Sequence, residues 1–322
     1  MTEELFQKNQ VDVVILSWNR VENTIATLDN MLSQVGVKFK IWIIDQASNE
    51  KTIQSLRAYA QKYASTVELV ELEKNLGVAG GRNHGMRLGN AEFVVCIDND
   101  AIFETQTAIA DTVQRFRLDD DLAVIGYKIK NYFTNIADRP NWAYARQLMD
   151  RHDEEFLTTR FCGAAHAIRR SALEKTLYYD EHLFFYWEEL DLSYQLINLG
   201  YKIIYYPEAC VLHKVDPEQR VNWKGNRYYY LVRNALYLDW KYYRSLKRQI
   251  LYSVGYFVKG IVNGVVLQFF KAVVDAVKMA RSLNDESLLL HEEAKDYIFN
   301  NDVVYRGSLF ERLKREVVER LN

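Results

Sequence analysis

The chain has 322 residues, with 41 Lys and Arg set against 43 Asp and Glu for a net charge of -2. With 49% hydrophobic and 26% charged residues it has an ordinary globular composition, which excludes a disordered chain, and the near-neutral balance gives no basis for nucleic-acid binding. Three widely spaced cysteines, Cys96, Cys162 and Cys210, sit among apolar neighbours and read as buried thiols in a reducing, cytoplasmic compartment, not as a disulfide frame or metal site.

The first ten residues are polar, so no secretory signal is expected. The longest apolar stretch, 249–280, is interrupted by Lys259, Lys271, Asp275 and Lys278 and falls short of a membrane span. Strands are predicted over 11–16 and 40–45, with a helix between them over 21–35 that carries Ile25, Leu28, Met31 and Leu32 at helical spacing. A helix over 52–63, a strand over 67–72, a glycine-rich loop, a short helix to about residue 88 and a strand over 93–97 follow. This alternation predicts βαβ units: an α/β, Rossmann-like, mainly parallel sheet flanked by helices. Ligands of such sheets lie beyond the carboxyl ends of the strands, which singles out 17–20, 45–49, 75–85 and 98–100.

Farther along, strands are predicted over 122–129, 160–168, 202–206 and 209–213, with a helix over 187–199 ended by Gly200. From residue 220 onward tyrosines crowd the chain and lead into a long apolar helix. Residues 241–281 hold eight basic side chains and one acid, net +7, which leaves -9 on the rest. We therefore divide the chain into a catalytic domain, 1–235, and a C-terminal helical extension, 236–322. The last forty residues are acidic, with Leu309, Leu313, Val317 and Leu321 on one helical stripe.

Four motifs could carry chemistry. Asp98-Asn99-Asp100 directly follows an apolar strand; such a pair can hold Mg²⁺ or Mn²⁺ or can form a polar turn. The 75–85 segment has four glycines and Arg82, which suits either a diphosphate-binding backbone or a tight loop. It is not the dinucleotide fingerprint, because the first strand is followed by Ser17-Trp18-Asn19-Arg20 without glycine. Asp45 ends the second strand, where a carboxylate can accept from a ribose or base; Ser48 or Asn49 suits the cap of the next helix better. Glu188-Glu189-Leu190-Asp191 opens a helix, where acids suit the dipole but three together suggest a catalytic base.

These elements in this order resemble the inverting glycosyltransferase family 2 enzymes with the GT-A fold, in particular the rhamnosyltransferase branch, over about residues 11–233. Phe161-Cys162-Gly163-Ala164 and His213 add to the match. The resemblance implies a nucleotide-sugar donor, UDP- or dTDP-linked in preference to GDP-linked, held by Ser17, Asn19, Arg20, Asp45, Asn75, Gly77, Gly81, Arg82, Asp98 and Asn99. It implies a Mn²⁺ or Mg²⁺ cofactor on Asp98, Asp100 and His213, and catalytic roles for Glu189, Glu188 and Asp191. The family has Asp where Glu189 stands, which leaves the base open between Glu188 and Glu189. A glycan or lipid-linked acceptor is expected. The basic 241–281 segment reads equally as a helix on an anionic membrane surface or as one packed on protein, such as a homodimer partner. The competing readings are a degenerate domain that only binds nucleotide or scaffolds, and a sugar-nucleotide pyrophosphorylase, which would need a glycine- and arginine-rich loop after the first strand.

Overall fold

The computed structural model describes residues 9–138, 142–214, 226–283 and 285–302. In chain order the elements are β1 Val11–Ser17, α1 Val21–Leu32, β2 Phe39–Gln46, α2 Glu50–Lys62, β3 Val67–Leu72, α3 Gly77–Met86, β4 Phe93–Ile97, β5 Ala101–Phe103, α4 Ala108–Arg117 and β6 Leu122–Asn131. They continue with β7 Phe156–Thr158, β8 Ala165–Arg169, α5 Arg170–Leu173, α6 Glu188–Asn198, β9 Lys202–His213, α7 Asn226–Tyr243, α8 Leu246–Val262, α9 Val266–Arg281 and α10 Glu292–Asn301.

The described strands form one mainly parallel, mixed sheet in the order β3-β2-β1-β4-β8-β6-β9-β5, with β7 on β9. Strands β1 to β4 pair parallel, and β8 inserts antiparallel between β4 and β6. Alternate residues of each strand face opposite sides, and both sides are buried. Val11, Val13 and Ile15 meet Leu28 and Met31 of α1 and Val113 and Phe116 of α4. Val14 and Ile44 meet Met86 of α3, Leu192 and Leu196 of α6 and Tyr237 and Tyr242 of α7. This is the predicted α/β architecture with its C-terminal helical region, and all three cysteines are buried free thiols.

Several elements differ from expectation. The predicted glycine-rich loop is the body of α3, because its glycines let the helix lie close on the sheet: a Cβ at Gly85 would sit 2.4 Å from Val14 Cγ1. The strand predicted over 160–168 begins only at Ala165, since the carbonyls of Cys162 and Gly163 turn to side chains instead of a ladder. The two strands predicted around Pro207 are one, β9, with a register shift. The long apolar helix is split into α8 and α9 at Asn263-Gly264, where Gly264 takes φ +67°, a left-handed stop signal. The division drawn after residue 235 falls inside α7. The stripe Leu309–Leu321 lies outside the described residues.

Candidate active site

The carboxyl ends of β1, β2 and β4 meet the start of β8 and the end of β9 at one edge of the sheet. Register brings Ser17 beside Asp45, and Ala101 beside His213. Asp98 N donates to Ala164 O at 2.8 Å, which ties the end of β4 to the Gly163 turn.

Asp98, Asp100 and His213 present one ligand atom each, all within 4.8 Å of one another. His213 Nε2 lies 3.2 Å from Asp100 Oδ1, and Arg20 Nη1 donates to Asp100 Oδ2 at 3.0 Å. Burial pushes the Asp100 carboxyl upward, but His213 and then Arg20 outweigh it and hold the group below its ordinary value. Asp98 goes the other way: burial pushes it up to about 6, against the pull of Arg82. Two carboxylates and an imidazole at this spacing fit a hard divalent cation such as Mn²⁺ or Mg²⁺.

Arg82, assigned from the sequence to the nucleotide, is buried and spans the cleft. It donates from Nη2 to Asp98 Oδ1 at 2.8 Å and to Gly163 O at 2.5 Å, and from Nη1 to Glu189 Oε1 at 3.1 Å. Gly163 leaves the room that Glu189 fills, because a Cβ there would lie 2.2 Å from Glu189 Oε1. The motif 161–164 is visible in the sequence; this purpose of its glycine is not.

The two glutamates differ. Glu188 is buried, its Oε2 has no hydrogen-bond partner among the described residues, and burial plus repulsion by Glu189 push it well above the usual carboxylate range. Burial also raises Glu189, but the Arg82 guanidinium pulls it back. Asp191, grouped with them by sequence, is fully buried. It accepts from Lys241 Nζ and Tyr242 OH at 2.7 Å and from Gln195 Nε2 at 2.9 Å. These bonds use its oxygens to fasten α6 to α7.

On the other side of the edge, Asp45 is buried and accepts from Ser48 N at 2.9 Å and Ser48 Oγ at 2.5 Å. Ser48 Oγ in turn accepts from Asn19 N, and Asn19 Oδ1 accepts from Asn49 N. Asn49 is the helix cap, accepting from Thr52 N. Ser17 Oγ is buried without a hydrogen-bond partner among the described residues. Asn99 donates to Thr24 Oγ1 on α1. The expected backbone donors at the start of α3 are already engaged: Leu76 N on Gln46, Gly77 N on Asn75 Oδ1 and Val78 N on Phe184 O. A Cβ at Gly81 would press on Gln46 and Leu16. Of the tyrosines from 228 to 230, Tyr228 packs in the α7–α9 core, Tyr229 OH donates to Asp275, and Tyr230 stacks on Phe184 with centroids 5.5 Å apart.

The model of the family described as Glycosyl transferase family 2 matches residues 12–177, which includes Asp45, Arg82, Asp98 and Asp100 but stops before Glu188. The chain is 26% identical over 235 residues to a poly-beta-1,6-N-acetyl-D-glucosamine synthase of Staphylococcus aureus strain COL; the match covers 70% of this chain and 56% of the synthase's length. Solved structures share the fold, two of them as follows. A mannosyltransferase from Pyrobaculum calidifontis, in complex with GDP-Man and Mn²⁺, aligns with TM-score 0.58 and 18% identity over 98% of this chain and 87% of its own. GalNAc-T7 with UDP, GalNAc and Mn²⁺ aligns with TM-score 0.62 and 16% identity over 84% of this chain and 55% of its own.

Proposed function

Because the chain belongs to glycosyl transferase family 2, its chemistry is glycosyl transfer, and we propose that it moves a hexose or deoxyhexose, rhamnose among them, with inversion. The donor in this reading is a nucleoside diphosphate sugar, and the acceptor is a hydroxyl of a glycan or lipid-linked glycan. The observation that carries it is the convergence of Asp98, Asp100 and His213 with Glu189 at one sheet edge, joined through Arg82.

Glu189 is the base. An acceptor hydroxyl is a poor nucleophile at neutral pH, and a placed carboxylate that takes its proton during attack contributes typically about 10²–10⁴-fold. As the acceptor oxygen bonds to the anomeric carbon, the opposite bond to the diphosphate breaks and the proton comes to rest on Glu189. Burial and the neighbouring Glu189 carboxylate favour the neutral form of Glu188. Asp98, Asp100 and His213 would hold Mn²⁺ or Mg²⁺, which when bound offsets charge on the leaving diphosphate. Arg20, half-exposed beside Asp100, is placed to reach the same phosphates.

In this reading Asp45 receives the base of the donor, a UDP- or dTDP-sugar in preference to a GDP-sugar. Ser48 takes one acceptor site on each Asp45 oxygen and leaves one on each for an N–H of the base; the donor panel below tests which base it reads. The α8–α9 hairpin supports a place on the cytoplasmic face of a membrane. No described helix is long and apolar enough to cross one. Yet Leu267, Phe270, Val274 and Val277 are exposed along α9, next to Lys271, Lys278 and Arg281. A basic, apolar face of this kind complements an anionic lipid surface.

Transfer from a panel of UDP-, dTDP- and GDP-sugars with Mn²⁺ tests the proposal. Turnover that falls by about 10²-fold or more in Asp100→Ala and Glu189→Gln supports it. Nucleotide binding with no turnover of any donor, unaltered by Glu189→Gln, defeats it and leaves a binding module.

A further inference from the structure

Just ahead of the base, the backbone takes a shape that side chains resist. Phe184, Tyr186 and Trp187 have φ of 62°, 71° and 75°, the left-handed region that residues with a Cβ seldom enter. Such a turn persists only where its surroundings over-determine it. Here α7 supplies the constraint. Asn234 is fully buried, and its Nδ2, with two N–H groups shared among three acceptors, lies 2.9, 2.8 and 2.9 Å from the carbonyl oxygens of Leu183, Phe185 and Tyr186. Its Oδ1 accepts from Arg233 Nε at 2.8 Å, which fixes the orientation of the amide. Arg233 Nη2 donates to the carbonyls of His182 and Leu183, and Trp187 Nε1 donates to Leu231 O at 3.0 Å.

The turn ends where α6 begins. Trp187, left-handed, is the residue before the first helical position, and its carbonyl accepts from Asp191 N at 3.0 Å. The direction of α6, and so the place of Glu189 against Arg82 and Gly163, follows from the backbone angles of the three preceding residues. None of the Asn234 hydrogen bonds reaches Asp98, Asp100, His213 or Glu189 itself.

We propose that Asn234 is a positioning residue for the base: one buried amide on α7 holds the Phe184–Trp187 turn in its left-handed form and thereby aims Glu189 into the cleft. The inference rests on the reading of Glu189 as the base. A misplacement of about 1 Å at a reacting group can cost about 10²-fold in rate, so Asn234→Ala is expected to lower kcat by about that factor with donor KM and UDP–Mn²⁺ affinity unchanged. In a Glu189→Gln background the same substitution should cost nothing more, since both act through one group. Losses that multiply, or a fall in nucleotide affinity in place of kcat, overturn the proposal. Should Asn234→Ala not fold, Trp187→Phe removes one clamp bond at lower risk, and its loss must likewise vanish beside Glu189→Gln. A crystal structure of either folded variant separates this inference from the function on which it rests. If no sugar nucleotide is turned over, the reading of the reaction fails; if the variant keeps position 187 left-handed and Glu189 on Arg82, the positioning role fails whatever the reaction is.

Discussion

Asp98 and Glu189 share a single guanidinium: Arg82 donates to one at 2.8 Å and to the other at 3.1 Å. The metal-ligand edge and the base are thus held at a fixed separation by one buried side chain. Lysine keeps the charge but lacks the planar fork. Arg82→Lys is expected to lower kcat at least tenfold and to depress thermal stability, because one ammonium cannot reproduce the fork that reaches Asp98, Gly163 and Glu189 together. Steady-state kinetics and thermal unfolding of the variant check both.

The same substitution at two glycines should have opposite consequences. At Gly163 a new Cβ meets the end of a flexible side chain, Glu189 Oε1, at 2.2 Å. At Gly77, with φ +75°, it meets the backbone oxygen of Phe184 at 2.3 Å. Gly163→Ala is expected to fold and to lose about 10²-fold in kcat as Glu189 swings aside. Gly77→Ala is expected to lose stability, by more than the roughly 1–2 kcal/mol of left-handed backbone strain alone. Urea unfolding alongside kinetics distinguishes the two patterns.

Cation dependence follows from the three-ligand cluster. With UDP and Mn²⁺ at about 100 times the dissociation constant, the protein should gain about 2.7 kcal/mol. Asp100→Ala should abolish the Mn²⁺-dependent part of that gain, and chelation should remove it from the wild type. A thermal-shift series with and without Mn²⁺ reads this directly; an equal shift in Asp100→Ala would count against the site.

The buried Asp180–Lys241–Asp191 group makes stability depend on acid. Lys241 Nζ donates to Asp180 Oδ2 at 2.9 Å and to Asp191 Oδ1 at 2.7 Å. Burial acts to raise the Asp180 carboxyl, but Lys241, with Tyr237 and His182, holds it down at about 2. Its unfolded value is about 3.9, so its contribution is complete above that pH and is lost as pH falls through about 2. Lys241→Met is expected to cost about 3–5 kcal/mol near neutrality, because two buried carboxylates lose their cation. The gap between variant and wild type should narrow on acidification below about pH 4. Denaturant unfolding at a series of pH values measures it.

The outer face of α9 yields a test of location. Vesicles rich in phosphatidylglycerol should sediment the protein, phosphatidylcholine vesicles should not, and added salt should weaken the binding because each basic residue near the surface contributes about 1 kcal/mol. Phe270→Glu should abolish sedimentation. Concentration-dependent dimerisation that disappears in Phe270→Glu, with no vesicle binding, would assign the face to a second copy of the chain.

Much of this arrangement is legible in the order of the residues. The runs 11–16, 40–45 and 93–97 are apolar enough to be central strands, and the parallel-sheet rule then directs attention to Asp45, Asp98 and Asp100 at their ends. His213 joins them only through the pairing of β5 with β9, which no local pattern reveals. The glycines of α3 mislead because glycine signals a loop locally, whereas here it answers to the nearness of Val14 and Gln46. Asp191 stands among acids in sequence but faces a lysine fifty residues on. Asn234 gives one faint sign, an amide at helical spacing from Tyr230, Leu231, Tyr237 and Leu238.

The course of α7 bears on how this protein can be cut and recombined. A fragment ended at residue 235 would keep Asn234 but sever the helix one residue later, stranding Asp180 and Asp191 in the interior with no ammonium between them. Such a fragment should be insoluble, and a chimera joined there should fail with it. Any exchange of tails between relatives has to place its junction beyond Tyr243, where the helix that steadies the base has run its full length.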